Sequence, residues 1–320
     1  MYYFSRTPGL VGRDVGDQHL PKQQFDLSQL GFRLGGPIVK DKLFFFVNYE
    51  RERRTDPATT YLARRPGLTG TNVTTVDAAV LDELSSFLNQ KFGYQTGGYE
   101  NYDFETNSDK ATVKIDWNIN AKSNFSLKYN FLDSYRDQII SNSGGPSGNR
   151  QPGVNTLPFQ SSGYAINNNF NSFIGELNTK ISDKYANNLI VGYTGLRDFR
   201  SPASSLFPLV EIENGAGLSL TSFGYEPFTS FNILNSDIYQ LSDNLTLALG
   251  KHVVTLGTSN EAYHFRNGFA PNYYGRYRYR NIQDFYDAVN TNTPGPVSIR
   301  YNTRLIPTVF FRTPISMLCS

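Results

Sequence analysis

Apolar and polar residues alternate with a period of two along most of this chain, and that period is the signature of β-strands. Ala111, Val113, Ile115, Trp117 and Ile119 alternate with Thr112, Lys114, Asp116 and Asn118. Phe125, Leu127, Tyr129 and Phe131 alternate with Ser126, Lys128 and Asn130. The same pattern marks about ten segments, near 1–7, 27–38, 43–54, 109–119, 123–136, 167–181, 187–199, 237–249, 252–266 and 297–304. One face of each strand is apolar or aromatic and the other carries charge, so each needs water on one side and an apolar medium on the other.

The links between strands sharpen this reading. Short polar links such as Val39–Lys42, Asn120–Ser123, Ser182–Ala186 and Gly250–Lys251 alternate with long ones near 55–108, 137–166, 199–236 and 267–295. Alternating tight turns and long loops are the pattern of outer-membrane barrels, with short periplasmic turns and long extracellular loops. The fold expected is all-β: an antiparallel transmembrane β-barrel, here a partial one of about ten strands. A membrane-crossing strand needs about 9–11 residues, which these segments supply.

Composition closes off other classes. Among 320 residues, 30 Lys and Arg face 28 Asp and Glu. A net charge of +2 gives no concentrated field for nucleic acid, and no nucleic-acid partner is expected. Mean hydropathy is −0.42, and no apolar run of about 18 residues offers a membrane helix. Cys319 is the single cysteine, so neither an internal disulfide nor a cysteine zinc cluster can form. The start, Met1-Tyr2-Tyr3-Phe4, has no signal-peptide pattern.

One long link carries a helical pattern over 76–92, with Val76, Val80, Leu84, Phe87 and Leu88 on one face. Thr74 and Asp77 suggest a capping box and Gly93 suits the C′ position. The expected role is a small packing unit that tidies the loop. The Asn-, Ser-, Gly- and Pro-rich stretches 138–172 and 199–236 are expected to be mobile or irregular.

The segment Leu34-Gly35-Gly36-Pro37-Ile38-Val39-Lys40-Asp41-Lys42-Leu43-Phe44-Phe45-Phe46-Val47-Asn48-Tyr49-Glu50 resembles a hairpin of TonB-dependent receptors, most closely their Oar-like branch. Its residues also read physically. Gly35 and Gly36 relax the strand end, Pro37 caps the pairing, and Lys40-Asp41-Lys42 forms a solvated turn. Phe44-Phe45-Phe46 then falls where an aromatic girdle is expected. Gly250-Lys251-His252-Val253-Val254-Thr255-Leu256-Gly257 is similar to a later hairpin of the same family. The resemblance covers roughly 1–305 and implies a 22-stranded barrel with a plug in its lumen. It further implies a signal peptide, a TonB box and a plug that this chain does not include. The expected domains are a partial receptor-like barrel over 1–305 and an aperiodic tail over 306–320, read as a truncation or frameshift.

No enzyme constellation emerges, and no catalytic residue, metal or cofactor is expected. His19, His252 and His264 lack metal-ligand spacing. Gly215-Ala216-Gly217 lacks the third glycine and βαβ context of a dinucleotide site. Glu50 and Glu52 read as lumen charges beside Arg51, Arg53 and Arg54. The best binding candidates are Tyr273, Tyr274, Arg276, Tyr277 and Arg278 in one extracellular loop, because Tyr and Arg dominate recognition surfaces. The competing reading is an aromatic rim on lipid head groups. Arg197 and Arg200 are weaker candidates for outer-leaflet phosphates.

The function expected is that of an outer-membrane receptor and transporter segment, with uptake or export through a gated barrel in the bacterial outer membrane. Its partners are outer-membrane lipid and an unidentified extracellular ligand. The resemblance adds TonB-ExbB-ExbD, reached through an N-terminal region absent here. The alternatives are a passive porin or adhesin-like barrel, a secreted soluble β-rich binding module, and a non-functional gene fragment.

Overall fold

In the computed structural model the described residues are 1–302 except 13, 16–17, 20–23, 148 and 292, together with the backbone of 309–312. The first strands in chain order are β1 (Tyr2–Arg6), β2 (Asp14–Val15), β3 (Gln18–His19), β4 (Asp26–Val39), β5 (Leu43–Pro57), β6 (Leu62–Arg64) and β7 (Val73–Asp77). After helix α1 (Ala78–Phe92) come β8 (Asp103–Asn120), β9 (Ser123–Gln138), β10 (Tyr164–Lys180), β11 (Tyr185–Pro202), β12 (Leu209–Glu213) and β13 (Ser219–Phe223). The chain continues with β14 (Ile233–Leu249), β15 (His252–Gly268), β16 (Arg276–Tyr279), α2 (Ile282–Thr291), β17 (Ser298–Arg300) and β18 (Val309–Arg312).

Ten strands form one antiparallel sheet in the order β1-β4-β5-β8-β9-β10-β11-β14-β15-β18. Sheet neighbours follow one another along the chain, with the long links inserted between them. The sheet is open, as a partial barrel is: β1 and β18 stand at its two edges. The tenth strand is not the expected 297–304. Ser298–Arg300 pairs with β16 in a separate sheet, and residues 309–312 pair with His264–Asn267 of β15. Residues 303–308 and 313–320, with Cys319, lie outside the described residues.

Strand register separates the two faces. Val47, Val113, Tyr129, Phe173, Tyr193 and Tyr239 form one cross-strand row. Ile115, Leu127, Gly175, Val191 and Leu241 form the next row toward the tight turns. Leu127, Phe173, Val191, Tyr239 and Leu241 are exposed, so this face carries an apolar band that none of the described residues covers. Toward the long loops the band ends in tyrosines. Tyr49 donates to Asp109, Tyr193 to Asp237 at 2.8 Å, and Tyr129 to Asn171. Just beyond, Arg53 pairs with Asp109 and Arg197 with Asp237. Amphipathic rings with wet hydroxyls at the edge of an apolar band are the arrangement of a membrane interface.

The opposite face is polar. Asn48, Thr112, Asn130, Ser172 and Thr194 form one row across five strands. Nearer the tight turns, five asparagines align: Asn118, Asn124, Asn178, Asn188 and Asn244. Asn188 donates to Asn178 at 2.8 Å and Asn178 to Asn124 at 3.3 Å. Glu50 lies on this face and pairs with Lys110 at 3.0 Å. Two grooves, of about 560 and 900 Å³, open on it.

The Leu34–Glu50 hairpin differs in two details from its sequence reading. Pro37 does not end the pairing: it sits opposite Phe44, and a bulge follows before Val39 pairs with Leu43. The missing proline N–H is tolerated at such an irregularity. Asp41 then makes the turn with φ 61°. Phe44, Phe45 and Phe46 do not act together as a girdle, because strand alternation puts only Phe45 on the apolar face.

The long links hold the largest correction. They fold together into a second layer with its own hydrophobic core. Ala63, Val76, Leu81, Leu84 and Leu88 come from the first link, and Leu157 and Phe159 from the second. Val210, Ile212 and Phe223 come from the third and Phe285 from the fourth. The stretches 138–172 and 199–236 are therefore not irregular throughout. They contribute the ends of β9, β10, β11 and β14 and the hairpin β12–β13. A four-stranded sheet, β13-β12-β16-β17, joins the third and fourth links through the parallel pair β12–β16. The second link binds β13 through Leu157 N–H to Leu220 (3.1 Å) and Phe159 N–H to Ser222 (2.9 Å).

Helix α1 starts at Ala78, and the expected capping box is absent. Arg64 takes both carboxylate oxygens of Asp77 at 2.6 Å. Thr74 instead bonds the N–H of Val76 at 3.2 Å. Gly93 closes the helix with φ 64°, as expected. Helix α2 was not foreseen. Its start is capped by Asn281, whose side chain accepts the N–H of Asp284 at 2.8 Å.

Candidate binding surface in the loop layer

The four-stranded sheet of the layer has two unlike faces, because β12 and β16 alternate. Val210, Ile212 and Tyr279 turn to the core that α1 and α2 cover. Glu211, Arg276 and Arg278 turn the other way, toward the loop 141–150. There Arg150 and Glu211 pair at 2.6 Å with neither side chain exposed. Arg278 reaches the same carboxylate at 3.0 Å and Arg276 at 3.7 Å. Arg278 also lies 3.8 Å from Glu213 and donates to the carbonyl of Gly144 at 3.2 Å. Three guanidiniums thus share Glu211. Burial lowers the pKa of Arg150, and burial together with its cationic neighbours lowers that of Arg276 to about 10.

A second ionic contact ties this layer to the large sheet. Arg200, near the loop end of β11, stacks over Tyr164 at 4.5 Å and lies 3.9 Å from Glu226. Glu226 is fully buried and accepts from Phe228 N–H at 2.8 Å and Thr229 hydroxyl at 2.7 Å. Burial raises its pKa. The contribution of a carboxyl with a raised folded pKa is full below the free value of 4.5 and is lost as pH climbs through the folded value. Relative to Glu226→Gln, the natural protein is therefore expected to melt at a higher temperature at pH 5 than at pH 8. Melting curves of both proteins in detergent at the two pH values check this, and the opposite trend would count against the buried carboxyl.

The five residues singled out in the Tyr-Arg loop do not form one patch. Tyr273 is exposed and packs edge-on against Phe231 (4.8 Å) and Tyr274 (5.0 Å). Tyr274 in turn contacts Tyr225 at 4.9 Å. Arg276 and Arg278 lie on the ionic face described above. Tyr277 pairs with Val210 in register and so faces the core side of the sheet. Arg197 and Arg200 are engaged by Asp237 and Glu226 rather than open to phosphates.

Arg150, Glu211 and Glu226 escaped the sequence reading. The available signal was a pair of carboxylates, Glu211 and Glu213, inside the alternating run Leu209-Val-Glu-Ile-Glu213. Gly215 and Gly217, dismissed as a dinucleotide site, make the β12–β13 turn with φ 88° and 83°. His264 lies 3.5 Å from Asp237. Among the described residues, no group of three or more His, Cys, Asp or Glu is arranged to hold a metal ion.

Residues 1–298 match the family model described as Outer membrane beta barrel domain. Among solved structures the chain is similar to the outer membrane transporter YddB from Escherichia coli, with a TM-score of 0.50 at 11% identity. That alignment covers 85% of this chain and 29% of YddB. A second similar structure is the open form of the ferric-catecholate import receptor Fiu from E. coli K12, at 12% identity and TM-score 0.40, covering 93% of this chain and 43% of that one. The chain thus spans less than half the length of either. No curated protein matches the sequence. With its two-faced strands, alternating short turns and long loops, and this match over nearly its whole length, the chain belongs to the outer membrane beta barrel domain family and is a protein of the outer membrane.

Proposed function

We propose that this chain is the barrel portion of a TonB-dependent receptor and transporter. Its extracellular layer captures a ligand, and energy passed from the inner membrane by TonB-ExbB-ExbD opens the path. The observation that carries this reading is the folded layer itself. Long loops that share a hydrophobic core form a preorganised capture surface, where ligand binding need not meet the entropy of ordering them. The polar face beneath, with its asparagine row and the Glu50–Lys110 pair, suits a lumen through which a polar solute passes. The Oar-like assignment rests on the Leu34–Glu50 hairpin. The exposed Tyr273, beside Tyr274 and Phe231, supplies aromatic area for the ligand.

The test is direct binding between the full-length gene product in detergent and an immobilised TonB carboxy-terminal domain. Retention above that of a plain porin is the expected result. No retention, together with steady open-channel conductance in planar bilayers, would replace this reading with a passive pore.

A further inference from the structure

The charged face of the layer's sheet holds more positive than negative charge. Arg276 stands directly opposite Arg300 of β17 in register, and Arg278 is two residues along on the same face. Arg150, Arg276 and Arg278 gather around two carboxylates, Glu211 and Glu213, and Arg300 stands beside them as the fourth guanidinium. Glu226, the next carboxyl, has its own counter-charge in Arg200, 3.9 Å away. Two positive charges remain uncompensated. Arg276 is only 3% exposed, and among the described residues its Nη2 has no hydrogen-bond partner. Arg300 is exposed and, among the described residues, pairs with no carboxylate. A buried guanidinium with unused donors is costly unless an anion meets it.

Gly144 is exposed and lies over this place. Its backbone has φ 65° and no side chain covers it. A methyl group there would lie 3.3 Å from Arg276 Nη1 and 3.8 Å from Arg300 Nη1. The absence of a side chain at this position leaves the two guanidiniums within reach of the exposed loop.

We propose that Arg276, Arg278 and Arg300, beneath Gly144, form a binding site for a dianionic oxyanion: a phosphate or sulfate group. The forked donors of arginine match such oxygens in pairs, and two negative charges balance the cluster. The group reaches the site either on an outer-leaflet glycolipid or on a soluble molecule. The inference does not depend on TonB-driven transport, because it would hold equally in a passive barrel.

The experiment titrates the full-length protein in detergent with inorganic phosphate and with sulfate at constant ionic strength, using calorimetry. Saturable binding weakened at least tenfold by Arg300→Gln is expected. Arg300 lies at the sheet edge, and an unchanged melting temperature confirms that the variant is folded. Gly144→Asn, which covers the approach with a residue that tolerates the positive φ, should weaken binding likewise. A second arm uses nanodiscs with phosphorylated or dephosphorylated lipid A. Displacement of inorganic phosphate by the phosphorylated lipid alone identifies the glycolipid as the source, and no displacement identifies a soluble one. Absence of saturable binding, or equal binding by Arg300→Gln, overturns the proposal.

Discussion

Replacing Val191 by Arg is expected to destabilise the inserted barrel by about 2–4 kcal/mol, the cost of a cation at mid-depth on a lipid-facing strand. Val191 sits in the row of Leu127 and Leu241, below the tyrosines that end the apolar band, and is 52% exposed on the isolated chain. The matched control is Ser126→Arg on the polar face. Ser126 lies directly between Asp116 and Glu176, so a guanidinium there gains two acidic neighbours. The measurement is denaturant unfolding of the full-length protein in lipid vesicles. A large loss for Val191→Arg with little change for Ser126→Arg fixes which face meets lipid. Equal losses would mean that both faces are packed, as in a soluble sandwich.

The second large effect belongs to the loop layer. Leu84 is fully buried in the core that all four long links share. Leu84→Ala removes that packing and is expected to cost the layer about 2–5 kcal/mol. The loss should be local. The ten-stranded sheet is held by its own ladders, so strand content by circular dichroism should persist. Limited proteolysis should then cut within 58–102 and 203–232 faster than in the natural protein, where the shared core holds these links. A variant cut no faster than the natural protein would show that the links do not depend on a common core. Gln90→Ala, exposed on the same helix, serves as the silent control.

The proposed anion site adds a third role to this layer. Its apolar face holds the loops together, and its charged face gathers arginines from segments far apart in sequence. Arg150 and Arg276 belong to different links: the pairing of β12 with β16 brings Arg276 to Glu211, and the second link brings Arg150.

The sequence by itself determined the strands, their two faces and their order. Those features are local: a period of two is written in consecutive residues, and a short polar link leaves only a hairpin. Eight of the long strands fall where the alternation places them, though several run further toward the loop end, where the pattern turns polar. Helix α1 was legible for the same reason, through its apolar spacing and Gly93.

What the tertiary structure decided lies in the links. Leu157, Val210 and Phe285 each sit in a short apolar run, and none of these runs shows by itself which distant run it packs against. Their burial comes from contact with one another across distant parts of the chain. The same holds for the ionic cluster: Glu211 is one carboxylate among 28 acidic residues until β16 is laid beside it. Local periodicity sets strands and faces, whereas a core assembled from four separate loops depends on contacts that no local pattern encodes.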